Sequence, residues 1–183
     1  MDLRVRKTKQ AIMDTFKEMI ISTSINKITI TALANKANIN RKTFYLHYET
    51  IEDLISDFLN EIADAYIQAY EKALPEGRPH QDANRFFFEY FSSQPDYVQK
   101  ILCYPPYHDL GAIVFDKGYL NNLNKHDSHY KAFSIEKQNV IQTFYRSATL
   151  DIYRQWIKDE KRMSLDEAIK LSNQLICNGV QDL

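Results

Sequence analysis

The sequence predicts an all-α chain, and three observations carry that expectation. Apolar residues recur at three- and four-residue spacing along most of the 183 residues. Two capping boxes, Thr50-x-x-Asp53 and Ser164-x-x-Glu167, each stand directly before an amphipathic run. No segment alternates apolar and polar residues for long enough to make a strand. The length allows a sizeable core in one or two domains. Charge divides those domains: residues 1–48 carry nine Lys and Arg against three acids, and the remainder carries 14 against 21, although the net charge is only −1. A basic end on an acidic body is the electrostatic footprint of a nucleic-acid-binding head joined to a separate partner domain.

Residues 4–22 form the first predicted helix, with Val5, Thr8, Ile12, Phe16, Met19 and Ile20 on one stripe. A polar connection, residues 22–27, follows. The stretch Thr29–Leu54 then reads as a short helix, a tight turn and a second short helix, with a long third helix starting directly after it. In the first short helix the apolar positions are Ile30, Leu33, Ala34, Ala37 and Ile39. Asn38 falls where the chain must reverse, and Asn is one of the few non-glycine residues that tolerate positive φ. Asn40 is placed to cap the next helix through its side-chain oxygen. Phe44 and Leu46 are expected to turn inward there, which leaves Arg41, Lys42, Thr43, Tyr45 and His47 facing outward or flanking the exposed side. A helix-turn-helix sets its second helix in the major groove with N-terminal residues on base edges. Arg41, Lys42 and Asn40 are the candidate base readers, because such side chains pair with groove acceptors and donors.

This stretch resembles the DNA-binding domain of the TetR family of bacterial transcriptional regulators. The residues that carry the resemblance are Thr29-Ile30, Leu33-Ala34, Ala37-Asn38-Ile39-Asn40, Thr43-Phe44-Tyr45, His47-Tyr48 and Glu52-Asp53-Leu54, all in one register. The match runs from roughly Thr8 to Leu59. Ser24 and Asn38 each stand where the family usually has Gly, and Ile51 stands where it usually has a Lys that touches a phosphate. The resemblance implies that Thr29, Thr43, Tyr45 and His47 contact phosphates, and that the first helix braces the motif and offers Arg4, Arg6 and Lys7 to the DNA backbone. It also implies a head over residues 1–49, a connecting helix over 50–74 that transmits ligand binding, and a helical effector-binding and dimerisation domain over 75–183.

The connecting helix is expected to turn inward Leu54, Phe58 or Leu59, Ile62, Ala65 or Tyr66, Ala69 and Ala73, and Pro75-Glu-Gly77-Arg-Pro79 stops it. Residues 81–92 carry Phe86-Phe87-Phe88-Glu89-Tyr90-Phe91, too aromatic for a surface helix. Pro95 begins a short helix through Cys103, Pro105-Pro106 ends it, and another short helix is expected over 107–115. Residues 116–133 are polar and carry no clear element. Ser134 then caps a long helix to about Asp159, with Val140, Phe144, Ala148, Ile152 and Trp156 at four-residue spacing. The last helix carries Leu165, Ala168, Ile169, Ser172, Leu175, Ile176 and Gly179 on one face. Small residues on these final helices permit close packing against a second copy, and TetR-like regulators dimerise through a four-helix bundle of this kind. The expected interface is Ala148, Ile152, Leu165, Ala168, Ile169, Ser172, Leu175 and Ile176.

The aromatic body supplies a candidate pocket for an unidentified small-molecule effector. Its walls are expected from Tyr66, Phe87, Tyr90, Phe91, Tyr104, Tyr107, Phe144 and Tyr145, with Phe86 and Phe115 nearby and Asn84, His108, Gln142 and Arg146 as polar contacts. Aromatic residues at helical spacing also simply build cores, and the pattern alone does not choose between the two. His126-x-x-His129, with Asp127 and His108, falls short of a metal shell at usual spacing, so no metal or other cofactor is expected. Cys103 and Cys177 form no Cys-x-x-Cys pair or disulfide framework. Neither a signal-peptide pattern nor about 20 consecutive apolar residues is present, so a cytoplasmic protein is expected, without a membrane partner. No nucleophile elbow, phosphate loop or His-Glu-x-x-His points to an enzyme. The expected function is a dimeric, ligand-responsive repressor on a double-stranded DNA operator. The alternatives are a helix-turn-helix retained as a protein-interaction scaffold, and an activator or co-regulator without effector control.

Overall fold

The computed structural model describes residues 3–73, 80–104 and 133–178, together with Ile113. Every regular element among the described residues is helical. They are α1 (Leu3–Ser22), a single 3-10 turn (Ile25–Lys27), α2 (Ile30–Lys36), α3 (Arg41–Tyr45), α4 (Ile51–Ala73), α5 (His80–Ser92), α6 (Asp96–Leu102), α7 (Ile135–Lys158) and α8 (Leu165–Asn178). The chain divides into two compact units. The first comprises Met1–Ile62 and Pro95–Tyr104, the second Ala63–Gln94 and Pro105–Leu183. The unit that contains the helix-turn-helix is therefore larger than residues 1–49, taking in the first half of α4 and all of α6.

The helix ends follow local chemistry. The Thr29 hydroxyl accepts from the Ala32 amide at 3.2 Å and caps α2. At the far end Asn38 takes φ 54°, its amide bonds the Asn35 carbonyl at 3.2 Å, and the Ile39 amide bonds the Ala34 carbonyl at 3.0 Å. This is a Schellman closure, built with Asn in the left-handed position that Gly usually fills. The Asn40 side-chain oxygen then accepts from the Lys42 amide at 2.9 Å and starts α3. Both expected capping boxes are present. Asp53 accepts from the Thr50 amide at 3.0 Å while the Thr50 hydroxyl accepts from the Asp53 amide at 3.0 Å. Glu167 and Ser164 make the same exchange before α8, at 3.0 and 3.3 Å. The carboxyl of Glu167 is held below its ordinary value by these bonds from Ser164. Glu160 and Lys161 also take positive φ, in the turn that closes α7, where the Trp156 indole donates to the Met163 carbonyl at 2.7 Å.

In the first unit the core draws on Ile12, Met13, Phe16, Met19 and Ile20 of α1 together with Leu33, Ala34, Phe44, Leu54, Ile55, Phe58 and Leu59. Val5, expected on that stripe, is exposed instead. The Phe16 and Phe58 rings meet edge to face with centroids 6.0 Å apart. Helix α6 completes this core with Val98, Ile101 and Leu102, and Lys100 donates to the Ile21 carbonyl. In the second unit α5 packs on α8 through a buried polar cluster: the Asn84 amide donates to Ser172 Oγ at 3.1 Å and to Asn173 Oδ1 at 2.7 Å.

Further inward assignments differ from expectation: Ala73, at the end of α4, is exposed. Leu46 does not turn in; it is 82% exposed. In α7 the buried set is Ile141, Tyr145, Thr149, Leu150, Tyr153 and Trp156, whereas Val140 and Phe144 are exposed. The helix carries two adjacent apolar rows one residue apart, and periodicity alone cannot say which row meets the core. The short helix expected over 107–115 and the polar stretch 116–133 lie outside the described residues, apart from Ile113 and Phe133.

The Asn38 turn yields a direct test. Asn38→Ala should lower stability by about 1 kcal/mol, because a Cβ without a local polar partner resists this conformation, while Asn38→Gly should be tolerated. Urea unfolding of the three proteins measures the order; equal midpoints for Ala and Asn would refute the strained-turn account.

Candidate nucleic-acid interface

Three constraints hold α3 in place. Its one fully buried side chain, Phe44, sits at 0% exposure, with its ring 5.9 Å from Tyr45 and 5.8 Å from Tyr48. Asn40 caps its start, and Tyr48, buried just beyond its end, anchors the exit. The Tyr48 hydroxyl donates to Asp57 Oδ2 on α4 at 2.8 Å. Lys9 on α1 meets the same oxygen at 2.8 Å, with its ammonium 5.6 Å from the centre of the Tyr48 ring. Burial works against ionisation of Asp57, but the hydrogen bonds from Lys9 and Tyr48 outweigh it and leave the carboxyl below its ordinary 3.8. For Tyr48, burial first and then the bond to Asp57 push the phenol far upward, so it stays a donor at any physiological pH.

With Phe44 and Tyr48 fixed inward, the remaining side chains of the motif fall on the other side. Thr29, Asn40, Arg41, Lys42 and Tyr45 are exposed, and Thr43 and His47 are half-buried. Arg41 donates to the Tyr45 hydroxyl at 3.4 Å, which lays its guanidinium along the helix and leaves its other N–H groups available. Of the seven residues expected at the DNA, all within residues 29–47, five are therefore exposed. Ile51, in place of a cation, is the half-buried first residue of α4. Several cations of the basic end are already paired: Lys9 with Asp57, Lys17 with Glu61 at 2.6 Å and Lys36 with Glu18 at 3.3 Å. Arg6, Lys7, Lys27 and Lys42 are exposed and make no ion pair among the described residues.

Tyr48 with Asp57, and Lys17 with Tyr97, are positioning residues that sequence reasoning missed. Lys17 pairs with Glu61 and lies 5.3 Å from the Phe58 ring and 6.0 Å from the Tyr97 ring, tying α1, α4 and α6 together. Nothing in the spacing of residues 9, 17, 57 and 97 signals these contacts, because they form only once the helices pack.

Of the eight expected pocket residues, Tyr66, Phe87, Tyr90 and Phe91 come together. Tyr66 stacks on Phe91 at 5.1 Å and meets Tyr90 at 5.2 Å and Phe87 at 5.9 Å, joined by Tyr70, Phe86 and Tyr153. Burial, followed by Tyr70 and Tyr90, drives the Tyr66 phenol well above its ordinary value. Tyr104 belongs to the first unit, and Tyr107 lies outside the described residues. Phe144 is 42% exposed, and Tyr145 packs with Ile141 and Ile176 in a separate cluster, so neither joins the Tyr66 group. Asn84, expected as a polar contact of the pocket, is engaged by Ser172 and Asn173. His108, His126, Asp127 and His129 lie outside the described residues.

The expected interface also separates. Ala168, Ile169, Ser172 and Ile176 are buried within the protomer itself. Ala148, Ile152 and Leu165 are half-buried, and Leu175 is exposed. Large apolar side chains do face outward beside them: Val140 and Phe144 on α7, Leu171 and Leu175 on α8.

The head has the geometry of a helix-turn-helix, and every regular element among the described residues is helical. No protein-family model matches the sequence, and no curated protein matches it. Solved structures do match over nearly the whole chain. A TetR transcriptional regulator from Streptococcus agalactiae superposes with a TM-score of 0.70 at 17% identity, covering 94% of this chain and 95% of its own. A putative TetR-family regulator from Shewanella gives 0.69 at 14% identity, with 94% and 97% covered. The fatty acid degradation regulator FadR from Bacillus halodurans gives 0.66 at 15%, with 95% and 96% covered. The chain has the all-α fold of TetR-family transcriptional regulators. None of its helices, among the described residues, is long and apolar enough to cross a membrane.

The Asp57 contacts predict a pH signature. Asp57→Asn should lower the stability of the folded chain by about 1 kcal/mol at neutral pH, since the lost bonds are partly solvent-screened. A carboxyl depressed in the folded state stabilises above its unfolded value and ceases to do so as pH falls through its folded value. The gap between wild type and variant should therefore hold steady down to about pH 4 and close below it. Urea midpoints measured across that range decide; a gap that widened on acidification would contradict the assignment.

Proposed function

We propose that the chain is a DNA-binding transcriptional regulator, acting as a homodimer on a near-palindromic double-stranded operator and released from it by a small-molecule effector. The observation that carries this reading is the exposed Asn40-Arg41-Lys42 end of α3, held rigid from behind by Phe44 and Tyr48. A helix capped this way presents free donors at its N-terminal end, where reading helices meet base edges. Thr29, Thr43, Tyr45 and His47 supply hydroxyl, phenol and imidazole donors to phosphates on either side, which fix register without reading sequence.

Dimerisation fits the apolar row Val140, Phe144, Leu171 and Leu175 better than the residues committed to the core, since only exposed side chains are available to a partner. Two heads joined through α7 and α8 would enter successive major grooves about 34–36 Å apart. Residues 1–49 would act as the head and residues 75–183 as the body. Helix α4 contributes residues to both units, and the chain passes from the first to the second within it. The Tyr66, Phe87, Tyr90 and Phe91 group is the favoured wall of an effector site, with phenols as polar handles in an apolar setting. Effector and operator would then weaken each other's binding by the same factor. Regulation rather than catalysis is the reading, without cofactor.

Binding measurements with an operator recovered by selection from random duplexes test this. Arg41→Ala or Lys42→Ala should weaken specific binding about tenfold or more, with helix content unchanged. Val140→Glu should yield monomers by sedimentation and lose tight operator binding, because a single head holds only half the site. Full operator affinity in both α3 variants would overturn the reading-helix assignment, and dimers in Val140→Glu would overturn the proposed interface.

A further inference from the structure

The exit of the reading helix carries an unexplained apolar side chain. Leu46, at 82%, is the most exposed large hydrophobic residue among those described. Its backbone stays helical, with φ −74° and ψ −15°, and its amide bonds the Thr43 carbonyl at 3.3 Å, so it extends the α3 surface by one position. Leu46 lies four residues after Lys42 and therefore shares its face, beside the row of Arg41 and Tyr45. Phe44 and Tyr48 occupy the opposite, buried side.

We infer that Leu46 reads a thymine through its C5-methyl group. The inference rests on the proposed role of α3 as the helix in the major groove. Each A·T pair displays that methyl in the major groove, and it is the one base-edge group there recognised by apolar contact rather than by hydrogen bonding. A leucine offers no donor or acceptor, so among base edges the methyl is the match for it. Leu46 also follows Arg41 by five residues, roughly 7.5 Å along a helix axis. At about 3.4 Å per base pair, the contacted thymine lies about two base pairs from the position that Arg41 reads. The head thus reads its half-site with cations at the start of α3 and with an apolar group at its end.

The test uses the full chain and the operator recovered by selection. Thymines are replaced one at a time by uracil, which removes only the methyl. In wild type, one replacement per half-site, about two base pairs from the Arg41-dependent position, should weaken binding about fourfold, the value of one buried methyl. Leu46→Ala should weaken binding to the thymine operator by a similar factor and show no further loss at that uracil, while Leu46→Met should restore sensitivity. Circular dichroism should show all three proteins equally helical. Uracil penalties that persist unchanged in Leu46→Ala, or a Leu46→Ala protein as tight as wild type, would overturn the inference while an Arg41-dependent operator left the regulator reading standing. Failure of wild type to select any sequence would overturn both.

Discussion

A five-residue helix does not hold itself together in water, where even good helix formers need about 12–15 residues. Helix α3 exists because Phe44 is fully buried against Tyr48 and the first unit's core. Everything proposed for the reading surface depends on that one burial, since it fixes which way Arg41, Lys42, Tyr45 and Leu46 point. Removing a buried aromatic ring costs about 3–5 kcal/mol, a large share of the 5–15 kcal/mol that stabilises an ordinary domain. The surrounding devices each contribute less and act on direction: the Asn38 turn sets the angle between α2 and α3, and the Asn40 cap starts α3 at the right residue.

Around this anchor the charges divide into two kinds. Lys9, Lys17 and Lys36 hold helices of the first unit to one another through carboxylates. Arg41 and Lys42 instead project from α3, with Arg41 bonded only weakly, along its own helix, to Tyr45. The basic character of residues 1–48 is therefore partly architectural, and the surplus left at the surface is smaller than the raw count. Lys17 shows how an architectural cation also recruits a distant segment: its contact with the Tyr97 ring ties α6 to α1 and α4, although more than thirty residues separate α6 from α4's first half in sequence.

Local chemistry was legible in the sequence and tertiary choice was not. Asn38, Asn40, Thr50 and Ser164 announced their caps and turns because those bonds close within a few residues. The outward placement of Arg41, Lys42 and Tyr45 was legible for the same reason, since it follows from the short segment around Phe44. Leu46 misled because an apolar residue in an amphipathic run is read as core, whereas the core at α3 had room for Phe44 alone. Val140 and Phe144 misled because α7 offers two neighbouring apolar rows, and only packing selected the row of Ile141 and Tyr145. The same selection buried Ala168, Ile169, Ser172 and Ile176 within the protomer, with Ser172 bonded to Asn84 of α5 and Ile176 packed with Ile141 and Tyr145 of α7.

The most direct measurement of the central claim is the salt dependence of binding to the selected operator, set against a duplex of scrambled sequence. Log affinity should fall linearly with log salt on both duplexes, with a slope of about 0.9 per phosphate neutralised. The operator should remain at least about a thousandfold tighter throughout, because base contacts do not release counterions. Equal affinity for operator and scrambled duplex at every salt concentration would contradict the account, showing a basic surface that attracts DNA without reading it.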